Sequence, residues 1–443
     1  MIFKRKIYAK FLEWKNTSNG TSALLVEGAR RIGKSTIVEE FAKNEYKSYI
    51  LIDFTRAAKN IATLFDDVSD LNYIFLQLQL AYKTDLYKRQ SLIIFDEVQF
   101  CPKARQAIKH LVADGRYDYI ETGSLISIKK NVKDILIPSE EETIQMFPMD
   151  YEEFRWALGD SVTIPLLKKS FDEKTPLGDD TNRKLMRDFR LYMIVGGMPK
   201  AVDIFIKTNN MRLVDKEKRK ILKLYEDDFK KIDSTGKASM LFKAIPSELE
   251  KNASRYQISS VLQNERAASM MELISEMEDS KTILISYNST DPNAGLSRTK
   301  DLEHFKMFVC DTGLFTTLIF YDKDFTENII YEKLLNDKLE ANLGYLYENV
   351  VAQILAANGN KLFYNTFLNE KSGHNFEIDF LLARKNKICP IEVKSSGYKK
   401  HASLDAFSKK FSNRILQKYV ITAKDLKKEG DTYFIPFYMT MFL

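Results

Sequence analysis

The chain has 443 residues, 44% of them apolar and 29% charged, so it is too long for one ordinary core and too rich in core formers for extensive disorder. Cys101, Cys310 and Cys389 are few and not in paired spacing, which excludes a disulfide framework or a cysteine zinc site. No targeting signal and no run of about 20 apolar residues appears, so the expectation is a cytoplasmic protein of two to four domains with no membrane partner.

The first strong pattern is Ala23–Glu27, a short apolar run typical of a buried parallel strand, followed by helical spacing from Lys34. Between them stands Gly28-Ala29-Arg30-Arg31-Ile32-Gly33-Lys34-Ser35-Thr36, which carries G-x4-G-K-[ST] in its required strand-loop-helix setting. Glycines let the backbone wrap close to a phosphate, and the N–H groups at the helix start point at its oxygens. Lys34 adds charge near the β- and γ-phosphates, and the Ser35 hydroxyl suits magnesium. ATP and Mg2+ are therefore the expected ligands.

Ser91–Phe95 is a second apolar run and ends in Asp96-Glu97. A carboxylate at the end of such a strand can hold magnesium, and the next can orient and polarise the attacking water. Asp96 is thus read as a metal residue and Glu97 as the catalytic carboxylate. A third run, Tyr117–Glu121, leads to Thr122-Gly123-Ser124, whose hydroxyls either contact the γ-phosphate or begin a turn.

The stretches FDEVQFCPKARQAIKHLVADGRYDYIETGS, MFPMDYEEFRWALGD and YMIVGGMPKAV resemble a prokaryotic family of AAA+ ATPases. In that family the ATPase is fused to a C-terminal domain of unknown function that resembles restriction-endonuclease-like nucleases. The resemblance implies that Gly196, Gly197 and Pro199 match a Gly-x-Pro element whose proline lies near the adenine; a turn between packed helices explains the same residues. It also implies an arginine supplied by a neighbouring subunit of a homo-oligomer, for which Arg116, Arg155 and Arg190 are open choices.

From Asp203 to about Glu278 the pattern is helical. Ile258–Met277, Thr282–Tyr287 and Phe305–Val309 then fit helix, helix and β-wing, the winged-helix module that the resemblance also implies. Such modules bind DNA in some proteins and act as spacers in others.

Phe376–Leu382 and Pro390–Lys394 alternate as strands do, with Arg384–Lys387 as a hairpin turn. That register sets Asp379 opposite Glu392, roughly 5 Å apart at Cβ, with Lys394 on the same face. Two converging carboxylates call for a cation, and D…E-x-K is the signature of restriction-endonuclease-like enzymes, in which the acids hold metal and the lysine positions water. Glu348, in the helical run 342–357, is a further candidate metal ligand; the alternative is a solvated pair on a retained but inactive fold. His374 and His401 stand alone and are read as non-catalytic. Residues 361–443 hold 15 Lys/Arg against 8 Asp/Glu, which suits DNA or a plain solvated surface.

The expectation is an α/β protein in three parts. Residues 1–155 would form a P-loop AAA+ core with a parallel sheet, 156–325 a helical lid and winged-helix-like region, and 326–443 a restriction-endonuclease-like α/β domain. Two functions remain open. In the first, ATP hydrolysis drives a DNA-binding module that cuts; in the second, a nucleotide switch or scaffold carries a C-terminal domain that binds a partner without cleavage.

Overall fold

The computed structural model describes residues 2–123, 139–251, 253–322, 326, 328–336, 344–369, 373–396 and 401–443. They belong to two units, one running to Phe147 and taking in 279–281, the other comprising 148–278 and 282–443.

In the first unit the apolar runs are strands: β1 (Ala23–Glu27), β3 (Ser91–Asp96) and β4 (Asp118–Gly123), buried almost throughout. β2 (Ser48–Asp53) and β5 (Glu141–Gln145), which the sequence did not single out, are partly exposed. The order is β2-β3-β4-β1-β5, with every neighbouring pair parallel. Burial on both faces is why β1 and β3 read as apolar runs, while β4 carries Asp118 and Glu121 within its buried span. This is the expected parallel sheet of an α/β domain.

Helix Lys34–Glu45 follows β1 and fixes the loop before it by packing. Its Phe41 is fully buried and meets Tyr8, Phe11 and Tyr46 edge-on at 5.4, 5.4 and 5.9 Å, the geometry that aromatic quadrupoles favour. Truncating such a side chain costs about 3–5 kcal/mol. Because β4 lies between β1 and β3, the carboxyl ends of three adjacent strands bring the Gly28–Thr36 loop, Thr122 and Asp96 to one edge of the sheet.

The second unit begins with helices, among them Asp179–Val195, Pro199–Thr208 and Met211–Ile232. Short helices Ile258–Val261 and Met271–Asp279 precede an antiparallel hairpin of β6 (Ile283–Ser289) and β7 (Lys300–Val309). This is the helix, helix and hairpin order read from the sequence, but the hairpin does not end the sheet. β6 pairs in parallel with β8 (Phe363–Leu368), and β8 pairs with β9 (Asn375–Ile378), so one four-stranded sheet reaches across the expected boundary at 325.

Helix Gly344–Ala357, buried from Leu346 to Ala356, is the reason these segments belong together. Its Asn349 side chain accepts from the Val309 N–H at 2.8 Å and donates to the Val309 carbonyl at 3.1 Å, while Gln353 accepts from the Thr312 N–H at 2.7 Å. Buried backbone groups at the end of β7 thus find partners on a helix beyond the expected boundary.

The remaining strands are β10 (Phe380–Arg384), β11 (Lys387–Lys394), β12 (Lys418–Thr422), β13 (Lys427–Glu429) and β14 (Thr432–Pro436), in the order β10-β11-β12-β14-β13. The hairpin register is as expected from Arg384↔Lys387 to Phe380↔Ile391. The strand expected through Phe376–Leu382, however, is broken at Asp379, where the chain leaves β9 in one sheet and enters β10 in the other. Among the described residues no helix is long and apolar enough to cross a membrane.

Candidate functional site

The Gly28–Thr36 loop turns through left-handed conformations at Arg31 (φ 68°) and Gly33 (φ 93°) before the helix starts at Lys34. Gly28 is required for space as well: a Cβ there would collide with the Met146 carbonyl. Lys34 is buried and donates to the Gly28 and Ala29 carbonyls at 2.8 and 3.0 Å. Burial lowers its ammonium to about 8, although Glu97 and Asp96 pull the other way. This cation leans on neutral carbonyls in a desolvated pocket, so a phosphate would be its better partner.

Asp96, at the end of β3, accepts from Ser35 Oγ at 2.6 Å and from the Thr122 hydroxyl. A hydroxyl and a carboxylate in contact are the hard oxygen donors that magnesium prefers. Glu97 follows in a left-handed conformation (φ 54°) that a non-glycine side chain adopts only under constraint. Its backbone N–H lies 3.4 Å from the Thr122 hydroxyl, and its carboxylate accepts from Gln99. The structure therefore brings together Lys34, Ser35, Asp96, Glu97 and Thr122. Ser124 lies outside the described residues.

Two participants were not visible in the sequence. Gln99 sits inside the FDEVQF stretch and orients Glu97, while Arg5, far up the chain, donates to the Ile32 carbonyl of the loop at 2.9 Å. The Gly-x-Pro element belongs to the second unit, where Gly197 donates to Asp311 at 2.6 Å and Pro199 opens helix Pro199–Thr208. Of the three arginines, Arg116 is bonded to Asp114 and Asn72, Arg155 to Asp188 and Asp160, and Arg190 to the Tyr347 hydroxyl.

The second constellation differs from the arrangement read from the sequence. Glu348, Glu377 and Asp379 converge, with oxygens all within 4.8 Å of one another. Glu392 stands outside that group: its Oε1 lies 2.7 Å from Lys394 Nζ, and its Oε2 is buried without a hydrogen-bond partner among the described residues. The break at Asp379 is the cause. It turns the carboxylate away from a regular cross-strand pair, and Asp379 accepts instead from the Val393 N–H at 2.6 Å.

A cation already occupies the centre. Lys306, 5% exposed on β7, donates to Glu348 at 2.8 Å and to Glu377 at 2.5 Å. Burial works against its charge, but Glu348, Glu377 and Asp379 outweigh burial and hold the ammonium protonated well above its ordinary range. Burial and then the Glu348 charge push the Asp379 carboxyl well up, against Lys306. Lys394, also opposed by burial, is raised by Glu392. Neither Lys306 nor Glu377 was picked out from sequence; only Glu377 had a signal, its place two residues before Asp379. The three cysteines are buried free thiols.

Residues 20–155 match the family described as an AAA domain, and residues 186–324 and 343–440 match two families described as domains of unknown function. No curated protein matches the chain. Among solved structures it is similar to a Walker-type ATPase of Pyrococcus abyssi, at 14% identity over 72% of this chain and 96% of that one, with a TM-score of 0.41. It is also similar to a signal-transduction ATPase with numerous domains and a tetratricopeptide repeat sensor from Pyrococcus horikoshii, at 11% identity over 80% of this chain and a TM-score of 0.28. The chain spans 48% of that protein. A Vibrio cholerae protein matches at 10% identity over 94% of this chain and 95% of that one, with a TM-score of 0.18. The phosphate loop, the parallel sheet and the match over residues 20–155 make the N-terminal unit a P-loop domain of AAA type.

Proposed function

We propose that the chain binds ATP with magnesium, hydrolyses it, and couples the nucleotide state to a second unit that binds DNA. The observation that carries the ATP reading is Lys34, a buried cation resting on two loop carbonyls beside the linked Ser35, Asp96 and Thr122. The amides of residues 28–36 cradle the phosphates, with Arg30 and Arg31 on the loop's outer turn, and Lys34 reaches the β- and γ-phosphates. Ser35 and Asp96 would hold magnesium, which supplies charge neutralisation. Glu97 orients the water, and Thr122 contacts the γ-phosphate. An arginine from a second copy completes this reading.

For the second unit the reading without cleavage is the better supported. Lys306 fills the cluster where a divalent ion would have to sit, so the carboxylates do not fit a magnesium centre. The basic C-terminal segment then serves to bind DNA phosphates. Generic duplex DNA incubated with the protein, ATP and millimolar magnesium or manganese should be retarded on a gel yet stay intact, with binding unchanged by EDTA once nucleotide is removed. Cleavage that Asp379→Ala abolishes would restore the nuclease reading.

A further inference from the structure

Arg5 precedes the stretch that matches the AAA domain, yet it is only 6% exposed. Its two terminal nitrogens hold two different segments: Nη1 donates to the Ile32 carbonyl at 2.9 Å and Nη2 to the Phe147 carbonyl at 2.7 Å. Ile32 belongs to the phosphate loop, and Phe147 is the residue at which the first unit ends. The same segment touches the loop again, since the Met146 N–H donates to Glu27 at 2.7 Å and the Met146 carbonyl abuts Gly28.

Two residues further along, the chain is held just as firmly inside the second unit. The Met149 N–H donates to the Gly197 carbonyl at 2.8 Å, and the Tyr192 hydroxyl donates to the Met149 carbonyl at 3.0 Å. Gly197 has no room for a side chain, because a Cβ would strike the Met149 backbone. Its own N–H donates to the fully buried Asp311 at 2.6 Å, and Asp311 also accepts from the Leu314 N–H at 2.8 Å. Gly197, singled out in the sequence beside Gly196, thus receives the segment that leaves the phosphate loop.

We infer that Arg5 is a positioning residue that transmits nucleotide state from the phosphate loop, through Phe147 and Met149, to the Gly197–Asp311 contact. The inference rests on the ATP reading above and names how that site is coupled to the rest of the chain. The two-state element is Lys34. With no phosphate its ammonium is bonded to the Gly28 and Ala29 carbonyls; with triphosphate bound it turns to the phosphates, and those carbonyls lose their donor. The loop then settles again around the carbonyl that stays tied, Ile32, and Arg5 shares that tie with Phe147. Arg5 reaches the two carbonyls through two separate nitrogens of one rigid plane, a spacing that the single Nζ of a lysine does not reproduce, so lysine is not an equivalent.

The test uses the full chain carrying Glu97→Gln, so that bound ATP persists, with and without Arg5→Lys. ATP affinity is measured by calorimetry, and amide hydrogen exchange is followed in residues 192–199 with and without ATP and magnesium. With Arg5 present, ATP should change exchange in that stretch by about fivefold or more, the low end of ordinary coupling between sites. With Arg5→Lys, ATP should still bind within about tenfold of the same affinity, and the change should vanish. A change that persists in the folded, ATP-bound Arg5→Lys protein overturns the inference. So does ATP binding by Glu97→Gln alone with unaltered exchange at 192–199, an arm that does not depend on how the Arg5 variant folds. Absence of ATP binding in Glu97→Gln alone would instead remove the ATP reading, and the inference with it.

Discussion

Two buried lysines, Lys34 and Lys306, stand at the centres of the two constellations and are in opposite electrostatic situations. Lys34 has neutral carbonyls as hydrogen-bond partners, and burial brings it down to about 8. Lys306 is more deeply enclosed, yet the carboxylates of Glu348, Glu377 and Asp379 raise it against that burial. The first is a cation short of counter-charge, and a polyphosphate supplies what it lacks. The second is a cation already compensated, so the cluster needs no ion from solution. The same residue type marks a ligand site in one unit and a finished ion cluster in the other, and the partners decide which.

The largest expected effect comes from breaking the finished cluster. Lys306→Met would leave converging buried carboxylates without their cation, a loss of about 3–5 kcal/mol. Urea denaturation followed by a probe in the second unit should show it as a lower midpoint, with partial recovery when Glu377→Gln is added. An unchanged midpoint would mean that Lys306 is not the counter-charge described here.

On the other side of the comparison, Glu97→Gln should reduce ATP turnover by about 100-fold or more, within the range for a residue that handles the water. ATP affinity should stay close to wild type. Steady-state hydrolysis and calorimetry on one preparation separate the two, and normal turnover would remove Glu97 from the mechanism.

A smaller effect sharpens the contrast through proton linkage. Because burial places Lys34 near 8, a part of the empty protein carries it neutral at pH 8, and phosphate raises its affinity for the proton. ATP binding at pH 8 should therefore take up about half a proton, falling away below pH 7 where Lys34 is already charged. Calorimetry in buffers of different ionisation enthalpy measures the uptake, and the Lys306→Met protein should give the same value.

The candidate nucleotide site was legible because its motif is written in contiguous residues. A strand, a glycine loop and a helix start occupy 23–36, and Asp96-Glu97 closes an apolar run that is buried on both faces. β5 was not legible because its sequence EETIQ is polar, and the apolar run Tyr49–Ile52 of β2 ends in no motif that singles it out. Arg5 reaches the loop from 27 residues away, with no local pattern to mark it.

The C-terminal cluster was misread for a related reason. Alternation in Phe376–Leu382 suggested one strand, but the chain changes sheet at Asp379, and no residue type within that run announces the bend. Lys306 comes from 42 residues before Glu348 and 71 before Glu377. Its contribution depends on the continuation of the β6–β7 hairpin into β8 and β9, which no local pattern encodes.

Lys34 is the buried cation whose hydrogen-bond partners are neutral, and the direct measurement of its role is calorimetric titration of magnesium-ATP into wild-type protein and Lys34→Ala. The prediction is saturable binding by the wild type and a loss of about 100-fold or more in Lys34→Ala, as expected when a desolvated charge-to-phosphate contact is removed. Equal affinity in the two proteins, with Lys34→Ala folded as judged by its thermal transition, would contradict it.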